Sequence, residues 1–172
     1  MKAIILSAGY GKRLLPFTEN LPKPLLKINN ETLLSNTINF LIQCGIKKVV
    51  INVHYLAEQI VDYINKKKFN LSITIIKEKE KILDTGGGIL NTIQHFSKEP
   101  FLTINPDTVW NSNYIKELKL MEKIFFLKNQ KCSILVIDKS KSFDKNFKGD
   151  FNLKNNLISR KTADNLKYIF TG

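Results

Sequence analysis

The chain has 172 residues, 43% of them hydrophobic and 24% charged, with a formal net charge of +12. That balance supports one buried core, so a single domain over 1–172 is expected and a disordered chain is excluded. No apolar run approaches a membrane span, and Met1-Lys2 leads directly into a strand pattern with no room for a signal peptide, so the expected location is the cytoplasm.

Ala3 to Leu6 is a short apolar run, β-branched at its centre, of the kind that forms a fully buried strand. It ends in small residues: Ser7, Ala8, Gly9 and, after Tyr10, Gly11. Backbone N–H groups there can approach a ligand that larger side chains would hold away, and phosphate is the ligand such a loop suits. Lys12 and Arg13 follow at once, and Lys23 stands between Pro22 and Pro24, whose rings restrict the backbone on either side.

Two familiar phosphate loops do not fit. The dinucleotide fingerprint requires a third glycine where this chain has Leu14, and the Walker pattern requires four residues between its glycines and a Ser or Thr where this chain has Arg13. The stretch Ala8-Gly9-Tyr10-Gly11-Lys12-Arg13-Leu14-Leu15-Pro16-Phe17-Thr18, followed by Pro22-Lys23-Pro24, instead resembles the signature of the sugar-phosphate nucleotidyltransferases. The resemblance implies nucleotide-binding roles for Leu6, Ala8, Gly9, Gly11 and Lys12 and catalytic roles for Arg13 and Lys23.

Leu25 to Ile28 reads as a short strand or extended turn broken by Asn29-Asn30, and a helix follows from Thr32 or Ser35 to Gly45. Lys48 to Val53 is a second buried strand, Leu56 to Ile64 a helix, and Leu71 to Ile76 a third strand. Lys66-Lys67-Lys68 forms one tight basic run at a helix end, where cations suit the dipole. No aromatic residues interleave with it, so nucleic acid is not an expected partner. A helix is expected from Gly88 to Phe96, a strand from Pro100 to Asn105, a helix from Asn113 to Leu127 and a fifth strand from Ser133 to Ile137. Alternation of this kind predicts an α/β fold with a doubly wound, mostly parallel sheet in a three-layer arrangement. Beyond Lys139 a hairpin is expected to turn at Asn155-Asn156, and Tyr168 to Gly172 opens a further strand. Cys44 and Cys132 stand singly in apolar surroundings and read as small core residues.

Ligands of such sheets sit outside the carboxyl ends of the strands, and three polar or glycine-rich segments fall there: Ser7–Arg13, Asp84–Gly88 and Asn105–Asp107. The second, Leu83-Asp84-Thr85-Gly86-Gly87-Gly88-Ile89, is similar to the T-G-G-G-I form of N-acetylmuramate-1-phosphate uridylyltransferase-like members of the family. That similarity implies contacts of Thr85, Gly86 and Gly87 with the nucleotide; as a helix start, it is also compatible with Asp84 or Thr85 as N-cap. Asn105-Pro106-Asp107 is similar to the family's N-x-D motif, which implies Asp107 as a Mg²⁺ ligand and Asn105 as a substrate contact. Pro106 is a departure, since it removes a backbone N–H. Gly149-Asp150-Phe151 resembles the family's G-D-F element, which implies sugar-phosphate contacts by Gly149 and Asp150. His54, at the Asn52–Leu56 junction, is balanced between a ligand contact and a local backbone partner, and Trp110 is expected to pack on the sheet edge. The family implies a nucleoside triphosphate and a sugar 1-phosphate as partners, with UTP and N-acetylmuramate-1-phosphate favoured and mannose-1-phosphate guanylyl transfer as the alternative. It also implies a later segment with a second metal-binding aspartate, which this chain is expected to lack. The other class left open is a non-catalytic nucleotide-sugar-binding domain; oligomeric state is unreadable.

Overall fold

The computed structural model describes residues 1–97, 99–142, 144, 146–159 and 166–172, and they form two compact units, Met1–Ile115 and Lys116–Gly172. The first unit opens with β1 (Lys2–Ser7) and passes through a short hairpin, β2 (Lys27–Ile28) and β3 (Glu31–Thr32), into α1 (Leu33–Gln43). It continues with β4 (Lys48–Val53), α2 (Ala57–Lys67), β5 (Ser72–Lys77), α3 (Asp84–Thr92) and β6 (Phe101–Ile104).

Four parallel strands make the central sheet, in the order β5-β4-β1-β6. The chain therefore winds outward from β1 to β5, then returns to lay β6 on the other side of β1. The loops after β1 and β6 diverge at that reversal and open a crevice at the carboxyl ends of the strands.

The apolar content of β1 explains its central place. Ala3, Ile4 and Ile5 are fully buried, as are their partners Val49, Val50 and Ile51 on β4. Successive residues of a strand face opposite sides, so burial of every one means that both faces are covered. Ile4, Val50 and Phe96 form a cluster on one face with Leu6, Ile76, Ile89 and Phe101 packed around it. Each such aliphatic side chain contributes roughly 1.5–3 kcal/mol by leaving water. The hydroxyl of Thr32 caps α1 by accepting from Ser35 N–H at 3.0 Å.

The second unit holds all but the first two residues of α4 (Tyr114–Leu127), then β7 (Val136–Asp138), a hairpin of β8 (Asn152–Lys154) and β9 (Leu157–Ser159), and β10 (Tyr168–Phe170). The hairpin turns at Asn155-Asn156, whose φ angles of 51° and 62° are those of a type I′ turn.

The parallel α/β architecture is as expected, with three corrections. The run Ser133–Ile137 is not a fifth strand of the parallel sheet: its residues are only half-buried, and β7 pairs antiparallel with β10. A short apolar run looks the same in sequence whether it is covered on two faces or on one. The helix expected from Gly88 begins four positions earlier, at Asp84, so the glycine run lies inside α3 rather than before it. The cysteines are not core residues: Cys44 caps the C-terminus of α1 and is half-buried, and Cys132 is exposed. Among the described residues, no helix is long and apolar enough to cross a membrane.

Candidate active site

The crevice at the carboxyl ends of β1, β4 and β6 is a cleft of about 430 Å³ lined entirely by residues of the first unit. The loop after β1 forms one wall, Asn105, Pro106 and Asp107 a second, and Ile82, Asp84 and Thr85 a third.

The glycine loop is held from behind. Gly11 has φ 68°, and a Cβ there would lie 3.0 Å from Thr18 Cγ2 and 3.3 Å from Lys23 Cβ. A side chain at this position would meet both strained backbone and occupied space. Thr18, fully buried, donates its hydroxyl to Gly11 O at 2.9 Å. Tyr55, just after β4, donates to Thr18 O at 3.0 Å and to Glu19 O at 2.6 Å, and Gln59 on α2 donates to Asn20 O at 3.1 Å. Gly9 differs from Gly11, since nothing lies within 4 Å of a Cβ built on it. Its missing side chain leaves open space at the cleft.

Three cations reach the cleft. Lys12 and Arg13 begin a 3₁₀ turn after Gly11, and the Lys12 ammonium lies 5.2 Å from the Tyr10 ring. Lys23 opens a second 3₁₀ turn whose Pro24 and Leu25 are buried, which fixes its backbone. Its ammonium donates to the Asp107 carboxylate, linking the loop after β1 to the loop after β6. The side chains of this pair are 25% and 36% exposed, so both remain open to solvent and ligand.

Behind these groups lies a buried polar chain. Asn52 in β4 accepts from Ser7 N–H at 3.0 Å and donates to Glu78 at 2.8 Å, and the other Glu78 oxygen accepts from Leu83 N–H at 2.9 Å. The start of α3 therefore receives its carboxylate from the end of β5. Neither Asp84 nor Thr85 serves as the N-cap: the cap position is Leu83, and no side chain of its own closes the helix. A carboxylate near a helix N-terminus is favourable for the same reason as a cap.

Of the residues singled out in the sequence, Leu6, Ala8, Gly9, Gly11, Lys12, Arg13, Lys23, Thr85, Asn105 and Asp107 line this one cleft. Gly86 and Gly87 do not; they stand within α3, where a Cβ on Gly87 would meet Leu83 Cβ at 2.9 Å. Gly149 and Asp150 belong to the second unit. There Asp150 accepts from Phe170 N–H at 2.9 Å, and Gly149, with φ 76°, has Leu166 O where a Cβ would be.

His54 is not a cleft residue. Its Nδ1 meets the Glu78 carbonyl at 2.7 Å and its Nε2 meets Tyr10 Oη at 3.3 Å. A carbonyl only accepts, so Nδ1 carries a proton and donates it there. Trp110 is buried: it stacks on Phe40 of α1 at 5.2 Å and donates from Nε1 to Asn105 O, just past the edge strand β6, at 3.2 Å.

Sequence reasoning passed over Asn52, Glu78 and Tyr55. The signal for Asn52 was present, since a polar side chain inside the apolar run Lys48–Val53 requires a buried partner.

A family model described as nucleotidyl transferase matches residues 2–145. The N-acetylmuramate alpha-1-phosphate uridylyltransferase of Neisseria meningitidis serogroup B is 34% identical over 115 residues, which are 66% of this chain and 50% of that protein. The D-glycero-alpha-D-manno-heptose 1-phosphate guanylyltransferase of Campylobacter jejuni is 35% identical over 122 residues, 71% of this chain and 54% of that protein. The chain thus spans about half the length of these two relatives. Among solved structures, HddC from Yersinia pseudotuberculosis complexed with GMP-PN superposes with a TM-score of 0.72 at 23% identity, over 99% of this chain and 73% of that one. That likeness establishes the fold.

Proposed function

The chain belongs to the nucleotidyl transferase family, and from that premise we propose that its cleft binds a nucleoside triphosphate and transfers the nucleoside monophosphate to a sugar 1-phosphate. The observation that carries this reading is the convergence of Gly9, Gly11, Lys12, Arg13, Lys23 and Asp107 on one cleft at the reversal point of the sheet.

In this reaction an oxygen of the sugar 1-phosphate attacks the α-phosphorus in line. The bond from that phosphorus to the bridging oxygen breaks, and pyrophosphate leaves with the electron pair. Two polyanions must approach and charge builds on the transferring group, so fixed cations and oriented amides supply much of the rate. We assign the phosphate cradle to the backbone of Gly9 and Gly11. Arg13, with its forked donors, holds the β- and γ-phosphates, and Lys23 neutralises the α-phosphate region. No covalent nucleophile is required.

Asp107 suits a hard divalent cation: it is a carboxylate, half-open to the cleft and beside the residues assigned to phosphate. Mg²⁺ takes few protein oxygens and completes its shell with phosphate and water. Among the described residues no three His, Cys, Asp or Glu side chains gather as a cage, so Asp107 would hold the ion together with substrate oxygens. Bound there, Mg²⁺ supplies charge neutralisation at the phosphates. A cation held by Asp107 would leave Lys23 free to meet the nucleotide.

UTP and N-acetylmuramate-1-phosphate are the favoured pair, supported by the Thr85–Ile89 segment and by the identity to the Neisseria protein. Guanylyl transfer to a different sugar 1-phosphate is the second reading, supported by the identity to the Campylobacter protein over a longer stretch. Pyrophosphate release measured with UTP, GTP, dTTP and CTP against a panel of sugar 1-phosphates separates the two. Saturable nucleotide binding without pyrophosphate release from any pair would instead indicate a nucleotide-sugar-binding domain.

A further inference from the structure

The two glycine-bearing segments at the cleft, the loop after β1 and the first turn of α3, are about 75 residues apart in sequence, yet they share one chain of three hydrogen bonds, two of them buried and the third partly so. Ser7 N–H donates to Asn52 Oδ1 at 3.0 Å, Asn52 Nδ2 donates to Glu78 Oε1 at 2.8 Å, and Leu83 N–H donates to Glu78 Oε2 at 2.9 Å. Asn52 is 2% exposed and Glu78 5%. Asn52 also borders the cleft. Neither side chain acts on a reacting atom in the mechanism above.

We propose that Asn52 and Glu78 are positioning residues, a polar strut that sets the spacing between the phosphate-binding loop and the nucleotide-facing start of α3. The ends of the chain support this. At one end Ser7 is the last residue of β1, immediately before Ala8 and Gly9. At the other, Leu83 N–H precedes Asp84 and Thr85, both of which line the cleft. In the middle, a Cβ on Gly88 would lie 2.6 Å from Asn52 Nδ2 and 3.1 Å from Glu78 Oε1. Gly88 is therefore the position at which α3 comes close enough for Glu78 to reach its first turn. The third glycine of the run serves the strut, while Thr85 faces the cleft.

Donor and acceptor directions make the strut testable. Asn52 offers one acceptor and one donor group, whereas the Glu78 carboxylate only accepts. Glu78→Gln keeps the shape but leaves two N–H groups facing each other at one junction, however the amides are turned. Asn52→Asp leaves two acceptors facing each other. The double change Asn52→Asp with Glu78→Gln reverses the middle bond: the new aspartate accepts from Ser7 N–H and from the glutamine amide, and the glutamine oxygen accepts from Leu83 N–H. Every partner is satisfied again.

The inference rests on the nucleotide reading, so the experiment has one arm that needs no ligand. Amide hydrogen exchange of the segments 7–14 and 83–88 is followed in the wild type, both single variants and the double variant. Exchange is expected to rise in both segments in Glu78→Gln and in Asn52→Asp, and to return toward wild type in both segments in the double variant. In the second arm, UTP affinity is expected to fall about tenfold in each single variant, the scale on which one orphaned buried donor acts, and to recover in the double variant. Should a single variant fail to fold, recovery of folding in the double supports the strut. Exchange confined to 83–88, or a double variant no better than the singles, overturns it. Normal exchange coupling with no UTP binding by any form keeps the strut and removes the nucleotide reading.

Discussion

Lys23 and Asp107, 84 residues apart in sequence, are joined by an ion pair across the mouth of the cleft. One belongs to the loop after β1 and the other to the loop after β6, so the pair closes the crevice between the diverging ends of the sheet. A solvent-accessible pair of this kind contributes only about 1 kcal/mol or less, and incoming phosphate or a divalent cation displaces it at little cost.

Asp107→Asn removes the partner that occupies Lys23 and the ligand assigned to Mg²⁺. Nucleotide affinity measured in EDTA is expected to rise by a few-fold, about what a freed surface ion pair supplies, while pyrophosphate release with Mg²⁺ is lost. Unchanged metal-free affinity would mean that Lys23 does not meet the nucleotide.

Arg13 has no hydrogen bond or ion pair among the described residues and lines the cleft. Arg13→Ala is therefore expected to leave the melting temperature within a degree or two. It should lower kcat/KM by about 10- to 100-fold, since a hydrogen bond to a charged group contributes roughly 1.5–3 kcal/mol. Arg13→Lys is expected to recover only part of this, because the forked geometry is lost. Steady-state kinetics with calorimetry of the free protein checks both.

Gly9 and Gly11 should separate function from fold. Gly11→Ala puts a Cβ against Thr18 at 3.0 Å with φ at 68°, and a stability loss of about 1–3 kcal/mol is expected in thermal denaturation. Gly9→Ala has open space around it, so stability should stay within about 0.5 kcal/mol. Nucleotide affinity is nevertheless expected to fall, because the methyl group stands where the phosphate approaches the backbone.

Glu99 accepts from Lys2 at 2.8 Å, tying the start of β1 to the segment before β6. Hydrogen bonding by Lys2, and then its charge, hold the Glu99 carboxyl below its ordinary value of 4.5. A carboxyl lowered on folding adds stability above its unfolded pKa and loses it as pH falls through the folded value. The acid limb of stability below about pH 4.5 should therefore be shallower in Glu99→Gln than in the wild type, the wild type being slightly more stable near neutrality and the two converging in acid. The side chain is largely exposed, so the effect is small. Acid denaturation monitored by far-ultraviolet circular dichroism reads it.

The sequence made most of the first unit legible because its signals are local. Ala3–Leu6 is a continuous apolar run and Val49–Val53 one interrupted only by Asn52, and both became buried strands. The glycine and proline punctuation of residues 8–24 placed Arg13 and Lys23 before any tertiary contact was considered. What stayed hidden depends on distant packing. Gly86 and Gly87 read as lying ahead of the helix because glycine disfavours helix, yet both are inside α3, and Gly88 stands where Asn52 leaves no room for a side chain. His54 could not be placed without knowing that the Glu78 carbonyl and Tyr10 stand on either side of it. Ser133–Ile137 has the composition of a core strand, and only its partner β10 shows that it belongs to a separate antiparallel pair.

The central claim, that one cleft grips a nucleoside triphosphate, is tested most directly by isothermal titration of Mg·UTP into the protein and into the Arg13→Ala, Lys23→Ala double variant. The account predicts saturable one-to-one binding that weakens by about a hundredfold or more in the double variant, as two charge-assisted contacts require. Equal affinity of the two proteins for the nucleotide would contradict it.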